Sequence, residues 1–449
     1  MSFLISTVTA IAVHLRMWVE GLIAPFQVGA AILSAGGDGL KAKAVAALGQ
    51  PRVQRLGLRF ARAFLPNLVL SSQFIKAYPN TGTAIVTRQQ DVIEVLDRNE
   101  DFEVVYEPKM RAITGGENFF LGMQDTPLYT RDTSNMHLAM RRDDVATIIQ
   151  PLARRRAEEL VAKHQKGMDL PNDLTLQVPT AIVTDYLGIT GAANSDLVAW
   201  ATAMFWYLFV DLAGDAEVGR KAVDAGTASC AAIDAAIAQR KASGVAKDDV
   251  LGRCLVLGKA GQPGMDDLGI RNQLFGLFIG AIPTLSKACV QALDQLLDRP
   301  QALASAQAAA RSGDDALLAA HVFEAFRFNP LNPLIYRRAA RDTRIASGSL
   351  RSRLIPKGSM VLAVNLSAMF DPLCIDAPES FRTDRPWGDY ILWGYGMHTC
   401  FGAHVNRAVM PAMLKPLLAK PGLRRAAGAA GHIDTGGTPF PQHFKVEWD

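Results

Sequence analysis

Long apolar stretches at helical spacing dominate the hydropathy pattern of this 449-residue chain. The longest runs from Asp266 to Leu297, where Gly276, Gly280 and Pro283 are the helix breakers of the middle part. Strands are usually shorter than about ten residues, so a pattern of this length predicts a helix. The chain is therefore expected to be mostly helical.

Signals of β-structure are short and few. Gly82 to Val86 predicts a strand, and Gln89 to Leu96, which follows closely, predicts a helix. The segment from Ser34 to about Pro66 contains glycines and arginines and predicts a connection into the first folded element. The chain shows no internal repeat, which argues against a solenoid.

The N-terminus is apolar from Phe3 to Val13, and His14, Arg16 and Glu20 then interrupt the pattern. A membrane-spanning helix needs about 20 mostly apolar residues, and a secretory signal needs basic residues before its apolar run. Neither fits, which leaves a buried leading helix or an amphipathic helix at a membrane surface. The apolar residues of the second alternative are Phe3, Ile11, Leu15, Trp18 and Leu22.

Composition narrows the class of protein. Hydrophobic residues make up 49% and charged residues 20%, an ordinary globular balance, and the net charge of +4 argues against a dedicated nucleic-acid binder. The five cysteines are widely spaced and form no CxxC pair, which disfavours disulfides and a zinc site. We expect a cytoplasmic protein, with peripheral membrane contact as an open alternative.

The clearest chemical signal is the segment from Trp393 to Gly402, which reads WGYGMHTCFG. Cys400 stands among three glycines, and dense glycines permit close approach of backbone to a flat ligand. Ala403 to Leu414 reads as the start of a helix, and a helix N-terminus beside the sulfur favours thiolate over thiol. The segment suits an iron ligand; the alternative is a buried free cysteine in a glycine-rich turn.

This segment resembles the heme-binding loop of the cytochrome P-450 superfamily. The resemblance implies a mainly α fold with a small β subdomain, heme b (iron protoporphyrin IX) as cofactor, Cys400 as its axial thiolate and metal ligand, and His398 as a propionate partner. Gly394 and Gly402 are the family's loop glycines. Trp393 stands where the family usually has phenylalanine. Asn406 replaces a small residue, so packing of the following helix on the heme is expected to differ locally.

A second part of the resemblance lies between Gly122 and Asp132. The family has a histidine and then an arginine there, and both hold heme propionates. This chain has Tyr129 in the histidine position and Thr133 where the arginine is expected, with Arg131 between them. Tyr129 and Arg131 are the candidate replacements; the alternative is a solvated start of a helix.

Gly280 to Thr284 resembles the family's distal motif, in which an acid precedes a threonine. Thr284 takes the threonine position and is the candidate catalytic residue, but Pro283 replaces the acid. No acid occurs between Asp267 and Asp294. Thr284 with an ordered water is one replacement for the proton relay. The other reading is an enzyme that uses peroxide or rearranges a hydroperoxide and needs no relay.

Candidate substrate contacts lie in two places. The aromatic cluster between Trp200 and Phe209 falls on the helix that covers the family's substrate pocket, which implies an apolar substrate, although such clusters are commonly core. Its members are Met204, Phe205, Trp206 and Tyr207. Lys287, three residues after Thr284, could contact a substrate carboxylate; a surface lysine with an extended stem is the commoner case.

Charged residues of the family's scaffold are also present. Glu324 and Arg327 are three residues apart, so they share a helix face, and the resemblance adds Arg385 as the third member of a buried network. Arg337 falls where the family places a propionate-binding arginine, and Arg338 is its fallback. Ile355 to Gly358 resembles a hairpin turn whose return strand is Val361 to Val364.

Together these features predict an N-terminal extension over residues 1–50 and a cytochrome P-450 domain over residues 51–449. The expected activity is monooxygenation of an apolar substrate, with electrons from a ferredoxin- or flavodoxin-type partner. Arg141 and Arg142 could help to dock that partner, although a run of charge is commonly just a solvated face. The alternatives are a peroxygenase or hydroperoxide-rearranging enzyme and a non-catalytic heme ligand binder.

Overall fold

The computed structural model describes residues 2–244 and 247–449, and the side chains from residue 11 onward within those ranges. Helix accounts for 59% of the chain and strand for 8%, which confirms the mainly α prediction. Contacts divide the chain into two compact units. The first comprises Met1–Ile75, Pro79–Glu103 and Phe326–Thr399, and the second comprises Lys76–Tyr78, Val104–Ala325 and Cys400–Asp449.

The helices of the described residues alternate with short 3-10 and π turns. In chain order they are α1 (Ser2–Ser34), α2 (Leu40–Leu48), α3 (Pro51–Phe64), α4 (Gln89–Asp97), α5 (Glu107–Thr114), α6 (Pro127–Ala139), α7 (Gln150–Ala162), α8 (Gln177–Ile182), α9 (Asn194–Phe205), α10 (Ala216–Ser243), α11 (Val250–Lys259), α12 (Asp267–Leu297), α13 (Pro300–Ser312), α14 (Asp315–Phe328), α15 (Asn365–Ala368) and α16 (Ala403–Leu418).

The strands are short. They are β1 (Asn67–Leu70), β2 (Thr83–Val86), β3 (Phe102–Glu103), β4 (Gly167–Asp169), β5 (Ile335–Ala339), β6 (Thr343–Ile345), β7 (Arg353–Ile355), β8 (Met360–Ala363), β9 (Arg424–Arg425) and β10 (Lys445–Glu447). The first unit holds a five-stranded sheet in the order β1-β2-β8-β5-β3 and the pair β6-β7. The second holds a sheet in the order β4-β10-β9.

The five-stranded sheet confirms the predicted strand and helix after Gly82, which are β2 and α4. It also shows that the predicted hairpin is wrong. Strand β7 pairs with β6, whereas β8 pairs with β2 in parallel and with β5 in antiparallel orientation. The turn from Ile355 to Gly358 therefore connects two sheets. Local turn chemistry does not encode which partner each flanking strand finds.

The expectation of a connection between Ser34 and Pro66 is also wrong, because α2 and α3 occupy most of it. Pro51 begins α3. Proline is favoured at this position because the first N–H groups of a helix have no acceptor within the helix, so the N–H that proline lacks is not missed. Two arginines of α3 are buried: Arg55 donates to the Phe328 carbonyl at 2.7 Å and Arg62 to the Ser367 carbonyl at 3.0 Å. Distant carbonyls thus satisfy residues that look like solvated charge in the sequence.

Helix α1 packs along α3 in the first unit. Its Met17 and Ala24 are buried, and a Cβ on Gly21 would lie 2.6 Å from the Ala63 Cβ, so a side chain there would force the two helices apart. The opposite side of α1 exposes large apolar side chains, among them Ile11, Leu15, Trp18, Val19, Leu22, Ile23 and Phe26. A helix on the surface of a globular protein usually exposes polar side chains, so this continuous exposed apolar side of α1 is unusual.

Helix α12 is the core helix of the second unit and confirms the predicted long helix. Asp266 caps its N-terminus by accepting a hydrogen bond from the Gly269 N–H at 2.8 Å. The helix continues through Pro283, which donates no hydrogen bond to the Ile279 carbonyl. By length and hydropathy alone, α12 and the segment 11–34 of α1 could each cross a membrane; α12 is 72% buried and the α1 segment 17%.

Candidate active site

Cys400 stands directly before the N-terminus of α16 in the second unit, as predicted. Burial raises the pKa of its thiol, and the Gly402 N–H, directed at the sulfur, lowers it in part. Gly402 has an ordinary φ of −81°. A Cβ added there would lie 3.8 Å from the Cys400 Sγ, which is a normal contact. One amide donor is therefore directed at the sulfur, and it offsets in part the burial that otherwise favours the thiol over the thiolate.

Two residues that the sequence interpretation missed pack beside this cysteine. The Phe401 ring stacks on His137 of α6, with ring centroids 4.6 Å apart and planes at 29°, and it lies 5.3 Å from Phe120. The stack fixes Phe401, the residue between Cys400 and Gly402. No sequence signal pointed to His137, because nothing in its spacing marks it. The Asn406 carboxamide lies about 3.9 Å from where a Gly402 Cβ would be, so this larger residue fits beside the loop.

The glycine-rich part of the loop belongs to the first unit. Gly394 and Gly396 have φ of +83° and +68°, a region that other residues rarely adopt. A Cβ on Gly396 would also lie 3.0 Å from the Leu96 carbonyl oxygen. Trp393 stacks on Trp387 with centroids 5.6 Å apart, so the tryptophan at the family's phenylalanine position has its own aromatic partner.

His398 and Arg337 come together in the first unit. Arg337 lies on β5, is only 3% exposed and donates to the Tyr336 carbonyl at 3.0 Å. Burial, and then the nearby Arg337 charge, lower the pKa of His398 to about 3, so its imidazole is neutral at physiological pH. A buried guanidinium beside a neutral N–H donor fits a carboxylate such as a heme propionate. Arg338, the fallback, instead pairs with Glu103 at 2.7 Å.

The three residues of the predicted charged network are each buried, and their joining into one network stays a prediction. Glu324, in the second unit, and Arg327, in the first, are both 0% exposed. Arg327 and Arg385 converge on the Ser380 carbonyl, at 3.4 Å and 2.7 Å. Arg385 also donates to the carbonyls of Asp376 and Ala377, each at 2.8 Å. The two arginines thereby hold the segment that leads towards the loop.

The residues of α6 that were predicted to bind heme propionates contact their own neighbours in the chain. Arg131 forms an ion pair with Asp132 at 2.7 Å. Thr133 donates to the Tyr129 carbonyl at 2.7 Å, which is a bond within the helix. Burial, and then the charge of Asp125, raise the pKa of Tyr129, so its phenol stays protonated and can donate. A role for Tyr129 and Arg131 in cofactor binding stays a prediction.

In α12, the Thr284 hydroxyl donates to the Gly280 carbonyl of its own helix, and the Ala281 carbonyl lies 3.4 Å away. Lys287 lies one turn further on and is half-buried, and this burial lowers its pKa to about 8. Within α12 the nearest acids along the chain remain Asp267 and Asp294. Thr284 therefore has no carboxylate neighbour in its own helix.

The aromatic cluster divides into two groups. Phe205 lies 4.8 Å from Phe209 and 6.1 Å from Phe440, a residue near the C-terminus that sequence reasoning missed because it lies far away in the chain. Tyr207 instead covers the ammonium of Lys109 at 4.3 Å. Phe205 with Phe440 is the candidate substrate contact, whereas Tyr207 belongs to the packing around Lys109.

Exposed basic residues lie on α16 and close to it in the second unit. The charges of Arg142 and Arg407 add to burial in lowering the pKa of His404, which places these three side chains near one another. All three are exposed. By contrast, the later run Arg154–Arg156 is neutralised by Asp315 and Glu159. Arg142 together with His404 and Arg407 of α16 forms the basic surface of the second unit.

Comparison with known proteins gives a family match over most of the chain. The model of the Cytochrome P450 family matches residues 77–420. The solved structure of P450BioI in complex with hexadec-9Z-enoic acid ligated Acyl Carrier Protein superimposes with a TM-score of 0.74 at 18% identity, covering 89% of this chain and 99% of that one. At this identity the likeness concerns the fold alone.

Related sequences carry oxygenase and hydroxylase names. Beta-dihydromenaquinone-9 omega-hydroxylase of Mycobacterium bovis is 24% identical over 356 residues, 78% of this chain and 68% of that protein. Psi-producing oxygenase A of Emericella nidulans is 28% identical over 151 residues, which are 30% of this chain. Bifunctional dioxygenase (DOX)-epoxy alcohol synthase (EAS) of Fusarium oxysporum is 28% identical over 192 residues, which are 37% of this chain. The matches cover only 14% and 15% of the last two proteins.

Proposed function

Because the chain belongs to the cytochrome P-450 family, a family of heme-dependent oxygenases, we propose that it oxidises an apolar organic substrate with electrons from a separate redox protein. Cys400 carries this proposal: it is the thiol at the start of α16, with the Gly402 N–H directed at its sulfur. When bound, the heme supplies the oxygen-activating chemistry, and a thiolate ligand favours O–O cleavage. The proposed cofactor is heme b, and the proposed catalytic domain spans residues 51–449.

The protein's own residues have distinct roles in this proposal. Cys400 would bind the metal as thiolate, and Arg337 and neutral His398 would bind propionate oxygens through their N–H groups. Gly394 and Gly396 allow the loop to turn, since their left-handed φ excludes most other residues. Thr284 would hold a proton for the reaction at its hydroxyl, which in this structure donates to the Gly280 carbonyl. Phe205 and Phe440 form the apolar contact for the substrate and exclude water.

The basic surface formed by Arg142, His404 and Arg407 is the proposed docking site for an acidic ferredoxin or flavodoxin. Exposed like charges that lie close together raise the local potential and speed association with an acidic partner. Charge reversal of Arg142 and Arg407 should lower the rate of reduction by about 10-fold or more at low salt. The same variants should react normally with dithionite, which needs no docking.

A second candidate function, rearrangement of a substrate hydroperoxide, is favoured by one specific observation. Pro283 stands where the acid of the distal motif is expected, and the middle of α12 contains no acid. A hydroperoxide already contains the O–O bond, so its rearrangement needs neither a reductant nor protons from a relay. The name of the Fusarium oxysporum relative, a dioxygenase-epoxy alcohol synthase, points in the same direction.

One set of assays distinguishes these functions. The purified protein is incubated with an apolar substrate under three conditions: dioxygen with reductant and redox partner, hydrogen peroxide alone, and a lipid hydroperoxide alone under argon. Product only in the first condition supports the monooxygenase, and product only in the second or third supports the alternative. Ligand-induced spectral shifts without product in any condition would contradict both enzymes and support a heme-based ligand binder.

We also propose that α1 lies on a membrane surface. Its buried side is occupied by α3, whereas its other side exposes apolar side chains such as Leu22 and Phe26, the latter 79% exposed. Trp18, Phe64 and Leu350 line a neighbouring recess of about 520 Å³. Lys41 and Arg52, on the two helices that follow α1, are exposed basic residues that suit anionic lipid. A helix packed on protein along one side is placed to lie on the bilayer rather than to cross it.

A further inference from the structure

The middle of α12 keeps solvent-accessible surface along one side only. The accessible residues lie three or four apart, which is the spacing of a single helix face, and the residues between them are buried. They are Leu277, Gly280, Ala281, Thr284, Lys287 and Gln291. Lys287 thus shares with Thr284 the only face of this stretch that a ligand could reach, and the two are about 4.5 Å apart along the helix axis.

The surroundings of Lys287 are apolar and aromatic. Its Nζ lies 5.7 Å from the centre of the Phe440 ring, and Phe440 in turn contacts Phe205, the candidate substrate residue. Both phenylalanines are buried. Among the residues whose side chains the structure describes, no carboxylate lies within ion-pair distance of the Lys287 ammonium. The group that the ammonium faces is the Phe440 ring.

A protonated lysine in apolar surroundings lowers the stability of the folded protein unless a ligand supplies a counter-charge. Taking an ammonium out of water without a counter-ion disfavours the charged form, and burial accordingly lowers the pKa of Lys287 to about 8. At neutral pH most of the side chain is still protonated, so a cation stands on an otherwise apolar, accessible face. A single cation next to phenylalanine rings suits a ligand with one negative charge on an apolar chain. A phosphate group, with more charge and more acceptors, would need further donors.

We propose that Lys287 binds the carboxylate of the substrate and that the substrate is therefore a fatty acid or a closely similar apolar acid. This inference rests on the proposed function, because it assigns the substrate class of the same site. The ammonium donates to a carboxylate oxygen, and the aromatic pair Phe440 and Phe205 packs against the first carbons of the chain. The ion pair restores to Lys287 the counter-charge that its position lacks.

The test compares an acid with its uncharged analogue in binding rather than in turnover. Dissociation constants for dodecanoic acid and 1-dodecanol are measured by calorimetry on the heme-loaded, full-length protein. The wild type should bind the acid about 10- to 100-fold more tightly than the alcohol. Lys287→Met, which keeps the apolar stem, should lose that preference while its affinity for the alcohol changes less than about 3-fold.

Two further variants separate the anchor from a structural role. Lys287→Arg keeps the charge and should retain the preference for the acid, and Lys259→Met, at the exposed end of α11, should behave as wild type. Equal binding of acid and alcohol by the wild type, no binding of either, or a preference that survives in Lys287→Met would each overturn the anchor. Tight binding of the acid without product in any turnover condition would instead contradict the proposed function and leave the anchor intact.

Discussion

Single residues carry the chemistry proposed for this protein, and their environments differ in kind. Cys400 is a partly accessible thiol with one amide donor at its sulfur, whereas His398 is a neutral imidazole held beside a buried guanidinium. Neither side chain adds much to the stability of the folded protein, because burial disfavours both the thiolate of Cys400 and the imidazolium of His398. Each becomes favourable when a partner of opposite charge arrives.

The first prediction concerns the sulfur. Cys400→Ala should abolish the red-shifted carbon monoxide band of the reduced protein and lower its heme content by at least about 10-fold, because the metal loses its thiolate. The spectrum of the reduced, carbon monoxide-treated protein is the measurement. Cys289→Ala, a buried cysteine of α12, is the matched control and should keep the band. A normal band in Cys400→Ala would contradict the proposed ligand.

The second prediction concerns His398 and pH. The unfolded imidazole takes up a proton below about pH 6.5, whereas the folded one does so only near 3. The unfolded state therefore binds more protons between these values, and the folded state loses up to about 1.4 kcal/mol per pH unit as the pH falls from 6.5. Above pH 6.5 this contribution is complete and constant.

His398→Gln cannot take up that proton, so its unfolding free energy should fall by about 1 kcal/mol less than that of the wild type between pH 7.0 and pH 5.5. Urea unfolding of the heme-free proteins at both pH values measures this. His432→Gln, at an exposed position, should follow the wild type. Parallel losses in wild type and His398→Gln would rule out the buried neutral imidazole.

At the scale of elements, α1 and α12 have similar hydropathy but different surroundings. Both contain segments apolar enough to cross a membrane, but α12 is enclosed by helices of the second unit and α1 is packed on one side only. The same composition therefore forms a core in one case and an exposed apolar face in the other. The difference arises from neighbours distant in sequence, which hydropathy does not report.

The third prediction tests that exposed face. Leu22→Glu with Phe26→Glu should weaken binding of the protein to vesicles with anionic lipid by at least about 10-fold, because each change removes a side chain worth about 1.5 kcal/mol or more on burial and adds a negative charge. Cosedimentation with the vesicles is the measurement. Val256→Glu, equally exposed on α11, is the control. Unchanged sedimentation of the double variant would argue against the membrane role.

At the scale of the whole molecule, buried arginines stabilise segments that have little regular structure. Arg62, Arg327 and Arg385 all donate to backbone carbonyls rather than only to carboxylates. Long irregular segments leave carbonyls without ladder partners, and a guanidinium satisfies several at once. The stretch from Asp371 to Trp393 has few regular hydrogen bonds of its own, so these contacts matter for its stability.

The fourth prediction follows from that geometry. Arg385→Lys should lower the unfolding free energy by about 2–4 kcal/mol and reduce heme retention, because one ammonium cannot reach the three carbonyls that the guanidinium satisfies. Thermal unfolding and heme content are measured together. Arg382→Lys, whose partners Asp376 and Asp384 are exposed, should change stability by less than about 0.5 kcal/mol. Equal effects of the two changes would contradict the network.

Much of this protein could be read from the sequence because the relevant signals are local. The glycine-rich loop, the helix after Cys400 and the long pattern of α12 depend on spacing within one segment, and the structure has each as predicted. The missing acid at Pro283 is likewise visible in sequence alone. The N-terminal boundary at residue 50 and the roles of the site residues, from Tyr129 and Thr284 to Arg337, His398 and Cys400, stay predictions.

The tertiary structure decided what depends on distant partners. It pairs β7 and β8 with different strands, stacks His137 on Phe401 and brings Phe440 from the C-terminus to Phe205. It also shows that Lys287 stands on an accessible face with no acid beside it among the described side chains, which its sequence neighbours could not reveal. Periodicity reports which side of a helix is apolar, but only the fold determines which groups face that side and which charges lack a partner.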